Sequence, residues 1–474
     1  MNTQQFYING KWIDSVKSQT IEVIDPATKK LICHLANATP MDVDVAVQAA
    51  KQAFGSYSVL PLKDRIELLE DINALLIKRN DEIAEVISTE MGAPLNLSKN
   101  AQAPSGSQHF SAILEILKTY QFSKTTPQGT CIRKEPIGTC ALITPWNWPM
   151  NQIATKVAPA LAAGCTMVLK PSEIAPLDAI ILAEICHEAG VPAGVFNLIH
   201  GTGASIGDSL TSHKDIDMVS FTGSTRAGIA ISKSAAPTIK RVALELGGKS
   251  AGIVQGKVDI NKVAQQVVES SMLNSGQSCN ALTRLLIPSD QYDLLSNEIV
   301  NCVEKLSLNL PEASPDLGPL ASGAHFEKVR QYIDSGIQSE ATLLTGGLEI
   351  PEALKQGFFV KPTVFGDVTE NMPIAREEIF GPVLCLMKYE GLSDAIDIAN
   401  DSEYGLSGYV WSDSHQEAVN IAEQMRTGMV HINGAGLDSN APFGGFKMSG
   451  NGREWGEFGL DEFLEYKSIF GGAT

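Results

Sequence analysis

Residues 137–170 read IGTCALITPWNWPMNQIATKVAPALAAGCTMVLK, and this stretch decides the architecture. IGTCALI is a short, continuously apolar run of strand length, and CTMVLK is a second one. Between them Pro149 suits the first position of a helix and Gly164 its end. A strand, a helix and a strand in this order form a βαβ unit, with parallel strands in a sheet covered on both faces. The alternation continues through the helix APLDAIILAEICHEAG, the strand VFNLI, the helix ASIGDSLTSH, the strand DMVSF and the helix STRAGIAISKSAA. KRVALELGGKS then reads as a strand running into a Gly-Gly turn, a natural domain boundary.

After residue 250 a second alternation begins. SAGIV is a strand, a helix covers about 259–274, RLLIP follows a cysteine-bearing loop, and a helix starts at about 290. PVLCLMKY, a helix near 392–400, GLSGYVWS, a helix near 414–426 and GMVHIN complete it. Two α/β domains follow from this pattern. Ahead of them, FYINGKWI alternates around Asn-Gly and predicts a hairpin. Val43, Ala46, Val47, Ala50 and Phe54 mark an amphipathic helix, and one long helix is expected from Lys63 to Met91, stopped by Gly92. Residues 120–136 are polar and extended, a candidate arm able to pair with the tail EFGLDEFLEYKSIFGGAT at 457–474.

At 474 residues the chain exceeds one compact core. Its 36 basic and 54 acidic residues give a net charge of −18, which argues against nucleic acid as the main partner. No apolar run approaches the roughly 20 residues of a transmembrane helix. The start MNTQQFYINGKWIDS lacks the pattern of a signal peptide. Eight scattered cysteines without C-x-x-C pairs are expected to be reduced thiols of a cytoplasmic protein, and zinc spacing is absent.

Several motifs compete. GTGASIG at 201–207 contains G-x-S-x-G around Ser205, the nucleophile-elbow pattern, but no His–acid partner accompanies it. A glycine-rich structural turn is the better reading. GGKS at 247–250 fails as a P-loop because position 243 is Ala243. His187, His200, His213 and His431 are isolated. Four elements remain. In TPWNWP (144–149), Asn147 lies beside a helix N-terminus, where a side-chain amide can cap the helix or stabilise an oxyanion. In KPSE (170–173), Lys170 and Glu173 end a strand, where they form a surface pair or grip ribose hydroxyls. FTGS (221–224) brings Ser224 to a helix N-terminus, an anion site. Finally Cys279, in the polar turn NSGQSC (274–279), and Glu245, in LELGG, offer a thiol and a carboxylate base.

Together these residues resemble the NAD(P)-dependent aldehyde dehydrogenase superfamily, of the non-acylating bacterial type. TPWNWP, VLKPSE, FTGST, LELGGKS, NSGQSCNALTR, EEIFGPV (377–383) and PFGGFKMSGNGRE (442–454) occur in order and span nearly the whole chain. The resemblance implies a dinucleotide-binding domain over 1–119 and 137–248, a catalytic domain over 249–447, and a small β oligomerisation arm from 120–136 and 457–474. It implies that Cys279 attacks an aldehyde, that Asn147 and the Cys279 N–H hold the oxyanion, and that Glu245 activates the water that hydrolyses a thioester. NAD, or NADP, would be held by Thr144, Trp146, Lys170, Glu173, Gly223, Ser224, Leu246, Glu378 and Phe380, with Glu454 as a secondary proton-relay acid. Trp148, Gln152 and Thr155 would line the substrate tunnel, for a broad aliphatic or aromatic aldehyde. A homodimer or homotetramer is implied, with no metal and no membrane partner. A CoA-acylating semialdehyde dehydrogenase and a cysteine or serine hydrolase are the alternatives. Glu245 speaks against the first, and the lack of a His partner against the second.

Overall fold

The chain is described by a computed structural model covering residues 1–17 and 19–472; Ser18 and the last two residues of the expected arm, Ala473 and Thr474, lie outside the described residues. The stretch 137–170 forms the strand Thr139–Ile143, the helix Pro149–Ala163 and the strand Thr166–Lys170, with Pro149 at the first helical position and Gly164 ending the helix in left-handed backbone (φ +94°). Both strands are buried along their whole length, as a sheet covered on both faces requires.

Five parallel strands build the first sheet: Arg241–Glu245, Met218–Thr222, Thr139–Ile143, Thr166–Lys170 and Phe196–Leu198 in spatial order. The N-terminal hairpin Gln5–Ile8/Lys11–Asp14 closes its edge antiparallel, turning at Asn9 and Gly10, both at positive φ. Thr139–Ile143 starts the sheet at its middle, and the chain winds from it in both directions. The order therefore reverses beside this strand, and a crevice opens at the carboxyl ends between it and Met218–Thr222.

The second sheet places Ser250–Gln255 and Leu282–Pro288 at its centre. Val383–Tyr389, Thr363–Gly366 and the antiparallel Thr342–Thr345 flank them on one side, Ser407–Ser412 and Met429–Ile432 on the other. Only residues 246–249 connect Glu245, the carboxyl end of one sheet, to Ser250, the amino end of the next. The two sheets therefore meet end to end, and residues from both reach one cleft. A three-stranded antiparallel sheet stands apart, with Leu464–Ile469 pairing residue for residue with Cys131–Pro136, which pairs in turn with Ser123–Thr125.

Two expectations need correction. The single helix over Lys63–Met91 is two, Leu62–Lys78 and Asn80–Met91. The chain breaks at Arg79, whose guanidinium is held at 2.7–2.8 Å by Glu82 and at 2.7 Å by Glu184 of a neighbouring helix. The helix expected over ASIGDSLTSH is a wide π-type turn, Gly203–Gly207, and one α turn, Asp208–Thr211. There Ser205 Oγ donates to Asn37 at 2.9 Å, and Thr202 caps the turn through the Ser205 N–H. Both reasons are tertiary or side-chain contacts that apolar periodicity does not carry.

The fold also carries a buried acid pair. Glu90 accepts from the Leu177 N–H at 3.0–3.1 Å, while the carboxyl of Asp178 is fully buried beside it with no side-chain partner. Burial pushes the Asp178 carboxyl up to about 8, and burial together with Asp178 raises Glu90 as well. An unfolded Asp titrates near ~3.9. Between these values the native state binds more protons than the unfolded state, so stability falls as pH rises through this window. Asp178→Asn should flatten that decline, giving a higher melting temperature than the parent at pH 8–9 and a smaller difference at pH 5. Parallel melting curves across this pH range would contradict it.

Candidate active site

The floor of the cleft is the loop that carries Cys279. Leaving the helix Ile260–Met272, the chain puts Asn274, Ser275 and Gly276 successively into left-handed backbone, at φ +56°, +57° and +70°. Such a conformation costs a non-glycine residue roughly 1 kcal/mol or more, so surrounding bonds must hold it. Asn274 Nδ2 donates to the Asn147 carbonyl at 2.8 Å and the Gln277 carbonyl at 3.3 Å, and Asn274 Oδ1 accepts from the buried Gln102 at 3.0 Å. Ser275 donates to the Gly318 carbonyl at 2.9 Å, and Gln277 Oε1 accepts from the Ala321 N–H at 3.0 Å. A β-carbon on Gly276 would stand 2.2 Å from the Gly381 carbonyl oxygen. Only glycine fits there.

Both neighbours of Cys279 are pinned as well. Trp148 Nε1 donates to Ser278 Oγ at 2.8 Å, and the Tyr409 hydroxyl donates to the Asn280 carbonyl at 2.7 Å. The thiol of Cys279 is thus fixed on a loop tied to four other segments, at Gln102, Asn147–Trp148, Gly318–Ala321 and Tyr409. Burial, then the charges of Glu378, Glu245 and Glu454, push this thiol up, while the Asn280 N–H pulls it down. Asn147 faces it from the first domain. Its Nδ2 donates to the Gln277 carbonyl at 3.0 Å, which uses one of its two N–H groups and leaves the other for a ligand.

Cys279 and Asn147 share a cavity of about 170 Å³ with Glu245, Trp146, Gly223, Ser224, Leu246, Glu378 and Phe380. Glu245 ends its strand and is 3% exposed, with neither oxygen hydrogen-bonded. Burial and then Glu454 raise its carboxyl well above the usual range, against the pull of Lys156 and Arg453. Glu454 lies behind Glu245 in an adjoining cavity, ion-paired with the buried Lys156, which also donates to Ser220 at 3.2 Å.

On the other side of the cavity, Ser224 caps the helix Thr225–Ala235, its Oγ accepting from the Ala227 N–H at 3.3 Å. Free N–H groups at such a helix start favour an anion. Glu378 is aimed by the Gly248 N–H at 2.9 Å, and a β-carbon on Gly247 would lie 2.5 Å from its carboxylate. Burial raises this carboxyl too. Phe380 takes φ +63° and its carbonyl accepts from His325 Nε2 at 2.6 Å. Trp146, His325 and Phe380 form a ring cluster with centroids 5.1–5.8 Å apart. Burial lowers His325 to about 4, so it stays neutral at pH 7.

Thr144, Lys170 and Glu173 lie outside this cavity, at the carboxyl ends of the neighbouring strands. The Thr144 N–H donates to the Lys170 carbonyl at 3.1 Å. Lys170 Nζ donates to the carbonyls of Pro171 and Gly201 at 2.9 and 2.8 Å and stands 3.7 Å from Glu173. His325, Lys328, Thr222 and the supports Gln102 and Asn274 carried no individual signal in the sequence. His325 and Lys328 sit three apart on the helix Gly323–Gln338, an arrangement indistinguishable from any solvated helix face. Among the described residues no group of three His, Cys, Asp or Glu is placed to hold a metal ion.

A cavity with a thiol, an amide donor, an unpartnered carboxyl and an anion-binding helix start suits covalent chemistry on a carbonyl beside a phosphate-bearing cofactor. Residues 12–469 match the model of the aldehyde dehydrogenase family. The chain is 51% identical over 470 residues to a 3-succinoylsemialdehyde-pyridine dehydrogenase of a Pseudomonas species, covering 99% of this chain and 98% of that one. A cysteine-to-alanine variant of aldehyde dehydrogenase C from Pseudomonas syringae, solved with NAD+ and octanal, superposes with TM-score 0.98 at 43% identity, covering 99% of this chain and 97% of that one. An aldehyde dehydrogenase from Bartonella henselae superposes with TM-score 0.97 at 44% identity, covering 99% of both chains.

Gly276→Ala tests the loop. The left-handed backbone and the approach to Gly381 should together lower the melting temperature by several degrees and slow alkylation of Cys279 by iodoacetamide. Unchanged melting and labelling would show that the left-handed turn does not position the thiol.

Proposed function

Since the chain belongs to the aldehyde dehydrogenase family, we propose that it oxidises an aldehyde to the carboxylic acid with NAD, using Cys279 as nucleophile, Asn147 as oxyanion donor and Glu245 as base. What carries the reading is that one cavity is lined by these three side chains together with Ser224, Glu378 and Phe380.

The cradle fits a dinucleotide. The start of the helix Thr225–Ala235 is an anion site for the pyrophosphate, with Gly223, Ser224 and Trp146 beside it. Glu378, aimed by the Gly248 N–H, would take ribose hydroxyls on the nicotinamide side, next to Leu246 and Phe380. Thr144, Lys170 and Glu173 would hold the adenosine half. The Glu173 carboxylate would disfavour a 2′-phosphate and hence NADP. NAD, when bound, supplies the hydride acceptor that turns the Cys279 adduct into a thioester.

The chain's own groups do the rest. Glu245 lines the cavity with the thiol, and burial raises its carboxyl above the usual carboxylate range, which makes it a stronger proton acceptor. The Cys279 thiol gives its proton to water in the cavity as the sulfur attacks the carbonyl carbon, which leaves Glu245 free for the later hydrolysis. The free N–H of Asn147 and the Cys279 backbone N–H stabilise the oxygen as it gains charge. Glu245 then removes a proton from water attacking the thioester, and the thiolate leaves. Behind it Lys156 favours the charged form of Glu245 while Glu454 opposes it, and Glu454 receives the proton as the secondary relay group. Water as acceptor, rather than CoA, follows from the presence of Glu245. The eight unpaired cysteines suit a reducing cytoplasm, and the three-stranded arm has outer strands available for pairing in a homodimer or homotetramer.

Cys279→Ala should lower NADH production by about 10³-fold or more. Glu245→Gln should keep a stoichiometric burst of NADH and slow steady turnover by roughly 10²-fold or more. Pre-steady-state absorbance at 340 nm reads both. Loss of burst and turnover together in Glu245→Gln would remove its role in deacylation.

A further inference from the structure

Tyr409 lies on the strand Ser407–Ser412, two residues before Trp411 and opposite His431 of the edge strand Met429–Ile432, so the three rings stand on one face of the second sheet. They stack. Tyr409 and Trp411 lie 5.9 Å apart with their planes at 9°, and Tyr409 and His431 lie 4.8 Å apart at 16°. Both ends of this ladder are tied to the turn 432–435, which the Ala435 N–H closes on the Ile432 carbonyl at 3.0 Å. At one end Trp411 Nε1 donates to Gln266 Oε1 at 2.9 Å, and Gln266 Nε2 donates to the Asn433 carbonyl at 3.3 Å. At the other end His431 Nδ1 donates to the Ala435 carbonyl at 2.8 Å.

The middle ring has one further bond, and it leads out of the ladder. The Tyr409 hydroxyl donates to the carbonyl of Asn280, the residue after Cys279. Cys279 and Asn280 are the two central residues of a β-turn closed by the Ala281 N–H on the Ser278 carbonyl at 3.0 Å. Trp148 holds this turn at its first residue through Ser278, and Tyr409 holds it at its third. A turn held at its entry alone leaves the peptide planes of its central residues free to rotate. That rotation would swing the Cys279 sulfur and also the Asn280 N–H that favours its thiolate. Packing asks for no hydroxyl at 409. Tyr409 is 6% exposed, and a phenylalanine would keep both stacks without burying a polar group that needs a partner.

We propose that Tyr409 is a positioning residue for the nucleophile: the ladder Trp411–Tyr409–His431 fixes its ring, and its hydroxyl, through the Asn280 carbonyl, sets the turn that presents the Cys279 sulfur. The inference rests on the reading of Cys279 as the nucleophile.

Tyr409→Phe keeps the ring and removes the bond. Parent and variant are compared in melting temperature, in alkylation of Cys279 by iodoacetamide from pH 6 to 10, read on its peptide by mass spectrometry, and in the NADH burst with octanal. The variant should melt within a few degrees of the parent, as one lost hydrogen bond implies. Its alkylation profile should be displaced to higher pH, so that labelling at pH 7.5 is about 5- to 10-fold slower. The burst rate should fall by about the same factor with KM for NAD unchanged. A bond of structural importance alone would lower the melting temperature and leave the labelling profile in place. That outcome, or an unchanged burst rate, overturns the proposal. Gln266→Met, which unties the Trp411 end, should displace the profile in the same direction by a smaller amount, and a profile identical to the parent's would overturn the ladder's part in it. Alkylation needs neither NAD nor aldehyde. A parent that labels normally and forms no NADH would therefore end the oxidation reading, while the labelling profiles still decide the role of Tyr409.

Discussion

The hydrogen bonds joining Asn147, Asn274 and Gln277 are the constraint on which the site depends. Asn147 belongs to the turn after the central strand of the first sheet, and the other two to the cysteine loop of the second domain. Asn274 can stay in left-handed backbone because its amide is paid back by two carbonyls and by Gln102. The same bonds aim one N–H of Asn147 away from the cleft and leave the other for a ligand. The Cys279 thiol and the free N–H of Asn147, the nucleophile and oxyanion donor of the proposed mechanism, are therefore set by one cluster, and neither can move without disturbing the other.

Charge is arranged around this clasp with equal economy. Four residues separate the end of one sheet from the start of the next, so Glu245 of the first domain and Cys279 and Glu378 of the second come into one low-dielectric cavity. Burial raises all three groups, and the carboxylates raise the thiol further. Such an arrangement is unfavourable for stability: it makes the two carboxyls stronger proton acceptors and disfavours the thiolate. Lys156, Arg453 and the Asn280 N–H limit the cost by pulling in the opposite direction.

Much of this was legible in residue order. The alternation of short apolar runs with helices announced parallel sheets, Pro149 and Gly164 marked the limits of their helix, and the Asn-Gly pair marked the hairpin. Those are local signals. What escaped were features set by distant partners. Nothing near Arg79 announces the break that Glu184 stabilises, and the π-type turn at 203–207 depends on Asn37, far away in sequence. Within the cleft, Cys279, Glu245 and Asn147 were visible because each sits in a distinctive turn. His325, Gln102 and the structural duty of Asn274 were not, because a ring or amide on a helix acquires meaning only from what folds against it. The ring ladder through Tyr409 is likewise a property of the packed molecule alone.

The central claim is that Cys279 carries the acyl group and that Glu245 is needed to release it. Acid-quenched Glu245→Gln protein, mixed with NAD+ and octanal, can be digested and its Cys279 peptide weighed by mass spectrometry. The account predicts an octanoyl thioester on Cys279, present only when both NAD+ and aldehyde were supplied. An unmodified Cys279 peptide under turnover conditions, or an acyl group on any other residue, would contradict it.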